Sequence, residues 1–300
     1  MQQKEKKESL FGLYVWLYRK KLFVMLFSDE AYIKYKFKRL TGRYPDLKNP
    51  VSFTEKLNWL KLYWRNPLLT TCADKYEARN YVASKGLGHL LKKLYGVYDN
   101  PRQINLDALP TAFVLKVNHG TKQNILCEDK ACLDWPKTVA LLTFYLKFNN
   151  YYKAREWSYK NILPRILCEE HLTAGGRAMT EYNFYCYDGV PKFVEILHAD
   201  EAGKASANTF DLDFKPLDRT YRKPPLPFTP ARTPEYENML AYASTLAAGF
   251  PFVRVDLFVT GGKTYFGEMT FYPLSGLVKF TPASFDYLLG SFLFLPPPLD

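Results

Sequence analysis

The chain has 300 residues, of which 47% are hydrophobic and 17% aromatic, so it can bury a sizeable core and belongs outside the disordered class. Its formal net charge of +11 favours polyanionic partners such as phosphates, anionic lipid or acidic glycan. The sequence shows no RNA-binding signature or zinc-finger spacing, so we predict no nucleic-acid partner. Five scattered cysteines and four dispersed histidines indicate a reducing compartment, without a disulfide framework or a histidine-based metal site.

The N-terminal segment, residues 1–50, is basic and is predicted to be helical. Within it the apolar run 10–27 is interrupted by Arg19-Lys20-Lys21, which leaves each piece too short to span a bilayer. Two interpretations stay open: a helix docked on the domain, or a basic aromatic helix lying on an anionic membrane surface. We therefore expect a cytoplasmic protein, with peripheral association at the inner face of the membrane as the open alternative.

The rest of the chain predicts an α+β protein in which strands and helices are interleaved. Ser52 and Glu55 have the spacing of a capping box and predict the start of a helix. The further predicted elements are a helix at 74–86, strands at 94–98 and 112–118, a helix at 136–150, a strand at 165–172, a hairpin at 180–197, an irregular stretch at 201–235, a helix at 234–249 and a last hairpin at 253–271.

The last hairpin places two carboxylates, Asp256 and Glu268, in an otherwise apolar stretch. A two-residue Gly261-Gly262 loop would put Glu268 on the valine-rich face, where an unpaired carboxylate is costly. We therefore predict an odd loop over 260–262. That loop gives one polar face and one core face, and the polar face carries Arg254, Asp256, Phe258, Phe266, Glu268 and Thr270.

The paired acids of this polar face suit a hard divalent cation such as Mg²⁺. The residues alone leave a second interpretation open, in which Arg254 neutralises Asp256 and Glu268 faces water.

Two lysines are candidates for binding an anion. Lys75 opens a predicted helix in ADKYEAR, and Lys116 lies mid-strand in FVLKVN, followed by the loop HGTKQN at 119–124. A strand lysine before a glycine-containing loop can face a polyphosphate, although reaching to water would also explain either lysine. If Lys116 is an unpaired charge in a strand, its removal should leave the protein equally or more stable.

In this order the motifs resemble the ATP-grasp superfamily and, more narrowly, the TupA-like ATP-grasp family of cell-surface polysaccharide gene clusters. The resemblance covers about residues 28–296 and rests on the strings NPVSFTEKLNWLKLYWRNPL, DKYEAR, FVLKVNHG, REWSYKNILPRILCEEHL, FPFVRVDLF and YFGEMTFYPLSGLVKFTP. It implies an ATP-grasp fold with two α+β lobes that clasp the nucleotide, preceded by the helical N-terminal segment. The implied division is that segment at 1–50, an N-terminal subdomain at 51–110, a lid subdomain at 111–170 and a core subdomain at 171–300.

The resemblance also implies ATP and Mg²⁺ as cofactors and assigns roles to individual residues. The implied assignments are Lys75 and Lys116 on the nucleotide phosphates; His119, Gly120 and Lys122 in a flap over them; Glu169, Glu170 and Leu172 in an inter-lobe hinge whose backbone reads adenine; Asp256 and Glu268 on Mg²⁺; and Arg254 and Lys279 on the acceptor carboxylate. The chain departs from the family pattern in its single-glycine flap, in Asn183 where a lysine is often found, and in Thr270 where many ATP-grasp enzymes have asparagine.

The implied activity is that of a carboxylate–amine ligase, which activates a carboxylate as an acyl phosphate that an amine then displaces. The expected acceptor is a uronate on an acidic glycan or lipid-linked saccharide, and the expected amine is an amino acid or amino sugar. Two alternatives stay open. Asp211-Leu212-Asp213 fits the metal-binding pattern of a glycosyltransferase, and the glycine-poor flap would suit a non-catalytic nucleotide-binding module.

Overall fold

The structure is a computed structural model that describes residues 25–173, 176, 178–217 and 224–299. Residues 1–24 of the basic N-terminal segment, which include most of the apolar run 10–27, lie outside the described residues. None of the helices in the described ranges combines the length and apolar character needed to cross a membrane.

Helices form before, between and after the strands. They are α1 (Asp29–Thr41), α2 (Phe53–Tyr63), α3 (Leu68–Ala73), α4 (Glu77–Ser84), α5 (Trp135–Leu146), α6 (Asn150–Ala154), α7 (Pro234–Ala247) and α8 (Ala283–Phe292). The capping box predicted at the start of α2 is confirmed, since Ser52 and Glu55 each accept a backbone hydrogen bond from the other. The single helix predicted over 74–86 is instead preceded by a turn, and Lys75 lies in that turn.

The strands form two antiparallel sheets. The first has the order β1-β4-β2-β3 and the second β7-β6-β5-β8-β9. The strands are β1 (Leu94–Tyr98), β2 (Phe113–Val117), β3 (Asn124–Cys127), β4 (Ile166–Glu169), β5 (Met179–Tyr187), β6 (Val190–Ala199), β7 (Ala205–Asp211), β8 (Phe252–Thr260) and β9 (Lys263–Thr270).

Two features of the sheets differ from the sequence-based outline. The edge strand β7 lies inside the stretch 201–235 that was expected to be irregular. The first sheet includes β1, which falls within the range 51–110, so the pairing groups this strand with the proposed lid. The division into subdomains stays a prediction.

The main core lies on both faces of the second sheet. On one face α7 covers β5 and β8, where Tyr236 packs on Phe184 with ring centroids 5.9 Å apart. On the other face α2 and α8 cover the end of the sheet where β8 begins. There the ring of Phe53 meets the ring of Phe252 edge-on, with centroids 5.0 Å apart. The remainder of that second face is polar and carries the candidate site.

The hairpin between β8 and β9 reaches the predicted arrangement by a different route. Thr260 pairs with Lys263, so the loop has the two residues Gly261 and Gly262, with φ of 56° and 72°, and the predicted odd loop is wrong. Two glycines with positive φ are what a tight two-residue hairpin turn requires.

A β-bulge then corrects the register. Asp256 pairs with Glu268 but Leu257 pairs with Phe266, which leaves Gly267 as the extra residue. The predicted shared face of Asp256 and Glu268 is therefore confirmed. The predicted place of Phe266 on that face is wrong, because Phe266 is buried in the core.

The bulge predicts a specific sensitivity at Gly267. A Cβ there would lie 2.7 Å from the carbonyl oxygen of Asp256 and 2.7 Å from the ring of Phe258. We expect Gly267→Ala to lower the free energy of unfolding by about 1–3 kcal/mol, as overpacking does, measured by urea denaturation. Gly88→Ala is the matched control, since its Cβ would meet Ala83 at an ordinary 3.8 Å. Equal stability of the two variants would contradict the role of the bulge.

Candidate active site

Asp256 lies at the centre of the polar face and is held by an arginine. Arg254 donates to both carboxylate oxygens, from Nε to Oδ1 at 2.7 Å and from Nη2 to Oδ2 at 2.5 Å. Asn183, the register partner on β5, has its amide oriented to donate to Asp256 Oδ1 at 3.1 Å and to Glu181 Oε1 at 2.8 Å. Burial raises the pKa of Asp256 above its ordinary value, and Glu181 and Glu268 raise it further against the pull of Arg254.

Glu268 is the second acid of this face and pairs with a lysine from outside the sheet. Lys75 Nζ lies 3.1 Å from Glu268 Oε2 and also donates to the carbonyl oxygen of Gly120 at 2.9 Å. Burial raises the pKa of Glu268, but Lys75 and Arg254 outweigh it and lower the pKa to about 2. The side chain remains 36% exposed. The structure shows the first part of the second interpretation, the pairing of Arg254 with Asp256. The second part differs, because Glu268 is paired with Lys75 as well as being partly exposed to water.

Lys116 is paired within the first sheet. Its Nζ lies 2.5 Å from Glu169 Oε2, and Lys92 Nζ and Arg79 Nη1 lie 3.5 Å from the same carboxylate. Burial and the nearby Lys92 lower the pKa of Lys116 to about 7, despite Glu169. Burial raises the pKa of Glu169, but the surrounding cations outweigh it and lower the pKa to about 2. Lys116 thus has a carboxylate partner and is not an unpaired charge in the strand.

The base of the loop 119–124 is fixed. His119 is fully buried, and its ring nitrogens lie 3.1 Å from Asn118 Oδ1 and 2.6 Å from the carbonyl oxygen of Phe148. Gly120 is buried and bound through its carbonyl to Lys75. The contacts of His119 and Gly120 thus anchor the base of the loop.

The tip of the same loop is more open. Thr121 accepts a hydrogen bond from the Asn150 amide at 3.0 Å, and the hydroxyl of Tyr159 is also bonded to Thr121. Lys122 is exposed and has a φ of 59°. The tip therefore presents a lysine to solvent beside the cleft that contains Glu268.

The predicted hinge follows β4. The N–H of Glu170 donates to the carbonyl oxygen of Lys93 at 3.0 Å, and Leu172 lies half-buried in the next turn. Between them, buried His171 lies 3.0 Å from Glu128. The reading of adenine by this backbone stays a prediction.

Lys279 lies beyond the turn that follows β9 and is exposed. Arg254 is engaged by Asp256 through two hydrogen bonds. Their shared role on an acceptor carboxylate stays a prediction.

The aspartates of the glycosyltransferase alternative lie in a surface turn at the end of β7. Asp211 Oδ1 accepts the N–H groups of Asp213 and Lys215 at 3.0 and 2.8 Å. Asp213 forms an ion pair with Arg232 at 2.5 Å. Asp211 therefore has a structural role in the turn, and Asp213 is paired with an arginine.

Four residues at the site were not predicted from the sequence. Glu181 shares the face of Asn183 by the two-residue period of a strand, so the register could have identified it. Glu156 and Tyr159 come from a short 3₁₀ segment and its N-terminal flank, where no motif points to them. The ion pair of Lys92 with Glu169 depends on the neighbouring strands β1 and β4.

The acids of this face fit Mg²⁺ in donor type but not as a complete cage. Among the described residues no three His, Cys, Asp or Glu side chains converge on one metal position. Mg²⁺ is commonly held by one or two carboxylates together with substrate phosphates, which is what Asp256 and Glu268 offer. Since Arg254 occupies both oxygens of Asp256, a cation at Asp256 would have to share them with the guanidinium or displace it.

Comparison with known proteins places the chain in a family. The family model of TupA-like ATPgrasp proteins matches residues 55–294. The chain belongs to the TupA-like ATP-grasp family, and its two-sheet α+β fold is an ATP-grasp fold.

Solved structures of ATP-grasp ligases are similar at low identity. D-alanine–D-alanine ligase from Bacillus anthracis, complexed with ATP, is 14% identical over 68% of this chain and 55% of that one, with a TM-score of 0.40. The Helicobacter pylori D-alanine–D-alanine ligase is 14% identical over 76% and 60%, with a TM-score of 0.40. L-amino acid ligase from Bacillus licheniformis is 14% identical over 70% and 44%, also at 0.40. The chain thus spans about half of these proteins, and no curated protein matches it.

The Lys116–Glu169 pair predicts that removing Lys116 lowers stability, whereas the sequence of the strand alone suggested equal or greater stability. Lys116→Met removes the closest cation from a buried carboxylate, so we expect the free energy of unfolding to fall by about 1–3 kcal/mol in urea denaturation. The remaining Lys92 and Arg79 keep the loss below that of a wholly unpaired buried charge.

The double variant Lys116→Met/Glu169→Gln is the control. It removes both charges of the pair but keeps an amide oxygen for Lys92 and Arg79, so it should recover part of the loss. A Lys116→Met protein as stable as the wild type would show that the pair carries no weight.

Proposed function

We propose that the protein is an ATP-dependent carboxylate–amine ligase of cell-surface polysaccharide biosynthesis. The observation that carries the proposal is the pairing of Asp256 and Glu268 across β8 and β9, with Lys75 facing Glu268 from the turn before α4. Phosphoryl transfer requires carboxylates that can hold a metal ion and a cation that can neutralise the phosphates. Asp256 and Glu268 are suited to the first task and Lys75 to the second. Membership of the TupA-like ATP-grasp family supports the same reaction class.

The nucleotide phosphates would bind between the lobes. Lys75 and Lys116 would neutralise them, and the loop with His119, Gly120 and Lys122 would close over them. The hydrogen-bonded base of the loop would support it, and Lys122 at the exposed tip would supply a positive charge. The hinge at Glu169, Glu170 and Leu172 would receive adenine through its backbone.

Asp256 and Glu268 would hold Mg²⁺. The ion would supply Lewis-acid polarisation of the γ-phosphoryl oxygens. The residues of the chain do the remaining work. The lysines offset the repulsion between two anions, and Arg254 with Lys279 would orient the acceptor carboxylate for in-line attack on the γ-phosphorus.

The proposed acceptor is a uronate on an acidic glycan or lipid-linked saccharide, and the proposed amine is an amino acid or amino sugar. The net charge of +11 supports an acidic acceptor, and the basic N-terminal segment supports a cytoplasmic enzyme at the inner face of the membrane. In the reaction the carboxylate oxygen attacks the γ-phosphorus and ADP leaves. The amine then attacks the acyl carbon, and phosphate leaves as the amide forms.

The metal assignment predicts the behaviour of Asp256→Asn. In a thermal-shift titration the wild type should be stabilised by ATP only with Mg²⁺, by about 2.7 kcal/mol at a nucleotide concentration of 100 Kd. Asp256→Asn should fold but lose this Mg²⁺-dependent stabilisation, because the amide carries no charge for the cation.

Two controls separate the explanations. Asp286→Asn is matched in burial but lies under α2, and it should keep the response to Mg·ATP. Asp213→Asn tests the surface turn of the glycosyltransferase alternative and should also keep it. Full Mg·ATP affinity in folded Asp256→Asn would overturn the metal assignment. Stabilisation by nucleotide sugars that is lost in Asp213→Asn would favour the alternative.

The acyl-phosphate route predicts where an isotope label goes. With an acceptor labelled with ¹⁸O in its carboxylate, one label per turnover should appear in the released phosphate, read by mass spectrometry. ATP should become ADP and phosphate only when a uronate-bearing saccharide and an amine are both present. AMP and pyrophosphate as products would contradict this route, and ATP binding without turnover would favour the non-catalytic module.

A further inference from the structure

The turn that follows β9 has an unusual backbone. Leu274 and Ser275 are left-handed, with φ, ψ of 51°, 26° and 57°, 21°, and Gly276 follows with a φ of 53°. Side chains other than glycine rarely adopt this region, and such strain persists only when the surroundings hold it. The turn, Pro273–Gly276, begins three residues after Thr270 and leads towards Lys279.

Two side chains of α2 hold this turn from beneath. Lys61 Nζ donates to the carbonyl oxygen of Ser275 at 2.6 Å, and Asn58 Nδ2 donates to that of Gly276 at 2.6 Å. Lys61 is 1% exposed and also donates to Asn58 Oδ1 at 3.0 Å and to the carbonyl oxygen of Ala154 at 3.1 Å. The ammonium thus joins the strained turn to α2 and to the end of α6.

The same turn is connected to the acids of the cleft. Ser275 Oγ donates to Glu156 Oε1 at 2.6 Å, and Glu268 lies near enough to raise the pKa of Glu156 further above the value that burial sets. Burial raises the pKa of the Tyr159 hydroxyl, and the carboxylates of Glu156 and Glu268 raise it further. The same hydroxyl is bonded to Thr121 at the tip of the 119–124 loop. The turn and the 156–159 segment therefore form one wall of the cleft beside Glu268.

We propose that Lys61 is a positioning residue that holds the left-handed turn, and with it this wall of the cleft, in place for the acceptor. The proposal rests on the proposed function for its chemical purpose. Burial lowers the pKa of Lys61 to about 8, and the nearby Glu156 opposes this effect. Three oxygen acceptors and the Glu156 carboxylate therefore stabilise the charged form of the buried Lys61 ammonium.

The test compares two lysines of the same helix. Lys61→Met removes the donor to the turn. Lys56→Met is the matched control, because Lys56 donates to the carbonyl oxygens of Gly290 and Leu293 at 2.9 and 2.8 Å, on α8 and not on the turn. Lys61→Gln keeps an amide donor but is shorter, so it should change exchange and kcat in the same direction by less, and this graded effect is the test if Lys61→Met does not fold.

Three quantities are measured: hydrogen exchange of the peptide 272–279, the Kd for Mg·ATP, and kcat for ATP turnover with a uronate-bearing saccharide and an amine. We expect Lys61→Met to speed exchange in this peptide at least tenfold and to lower kcat at least tenfold, with the Kd for Mg·ATP within about twofold of wild type. Lys56→Met, even with a similar loss of Tm, should leave all three near wild type.

Unchanged exchange in folded Lys61→Met would overturn the proposal, and so would faster exchange with an unchanged kcat or an equal effect of Lys56→Met. The exchange measurement needs no substrate. If the wild type turns over no ATP, the proposed function fails by itself, and the exchange comparison still decides whether Lys61 holds the turn.

Discussion

The ion pair between Lys75 and Glu268 connects β9 of the second sheet with the residues that follow β2 of the first sheet. The backbone of Lys75 donates to the carbonyl oxygen of Asn118 and its ammonium to that of Gly120, both just beyond β2 of the first sheet. The same ammonium reaches Glu268 on β9 of the second sheet. A partly buried carboxylate is stabilised by a nearby cation, and Lys75 supplies one to Glu268 from the end of β2. Charge pairing therefore contributes to the contact between the two sheets.

The same pairs explain how the cleft can be stable without a nucleotide and still bind one. Each lysine that would face phosphate already has a carboxylate, Glu268 for Lys75 and Glu169 for Lys116. A triphosphate with a divalent cation brings both signs of charge, so the lysines and the acids can exchange partners without leaving a charge unpaired. Lys116 is poised for such an exchange, because burial and Lys92 lower its pKa to about 7 and a nearby anion would favour its charged form.

The sequence predicted what local physics determines and missed what depends on strand order. The capping box at Ser52 needs only four residues, and the shared face of Asp256 and Glu268 follows from the cost of burying an acid. The prediction of an odd loop was wrong, because a two-residue loop followed by a β-bulge places the two acids on the same face equally well. Gly267 was the available signal, because glycine within a strand often marks a bulge. The pairing of Lys116 with a β4 carboxylate was beyond reach, because it requires β2 and β4 to be neighbours.

The hold of Arg254 on Asp256 bears on the order of events at the site. Asn183, the other neighbour of Asp256, donates to it without adding a positive charge. Arg254 must then neutralise the buried Asp256 alone, and it does so with two hydrogen bonds. The guanidinium cannot orient an acceptor carboxylate while both of these bonds hold. Under the proposed function Asp256 and Glu268 would hold Mg²⁺, which would supply positive charge beside the buried acid, and Arg254 would reach the acceptor carboxylate only once it gives up its bonds to Asp256.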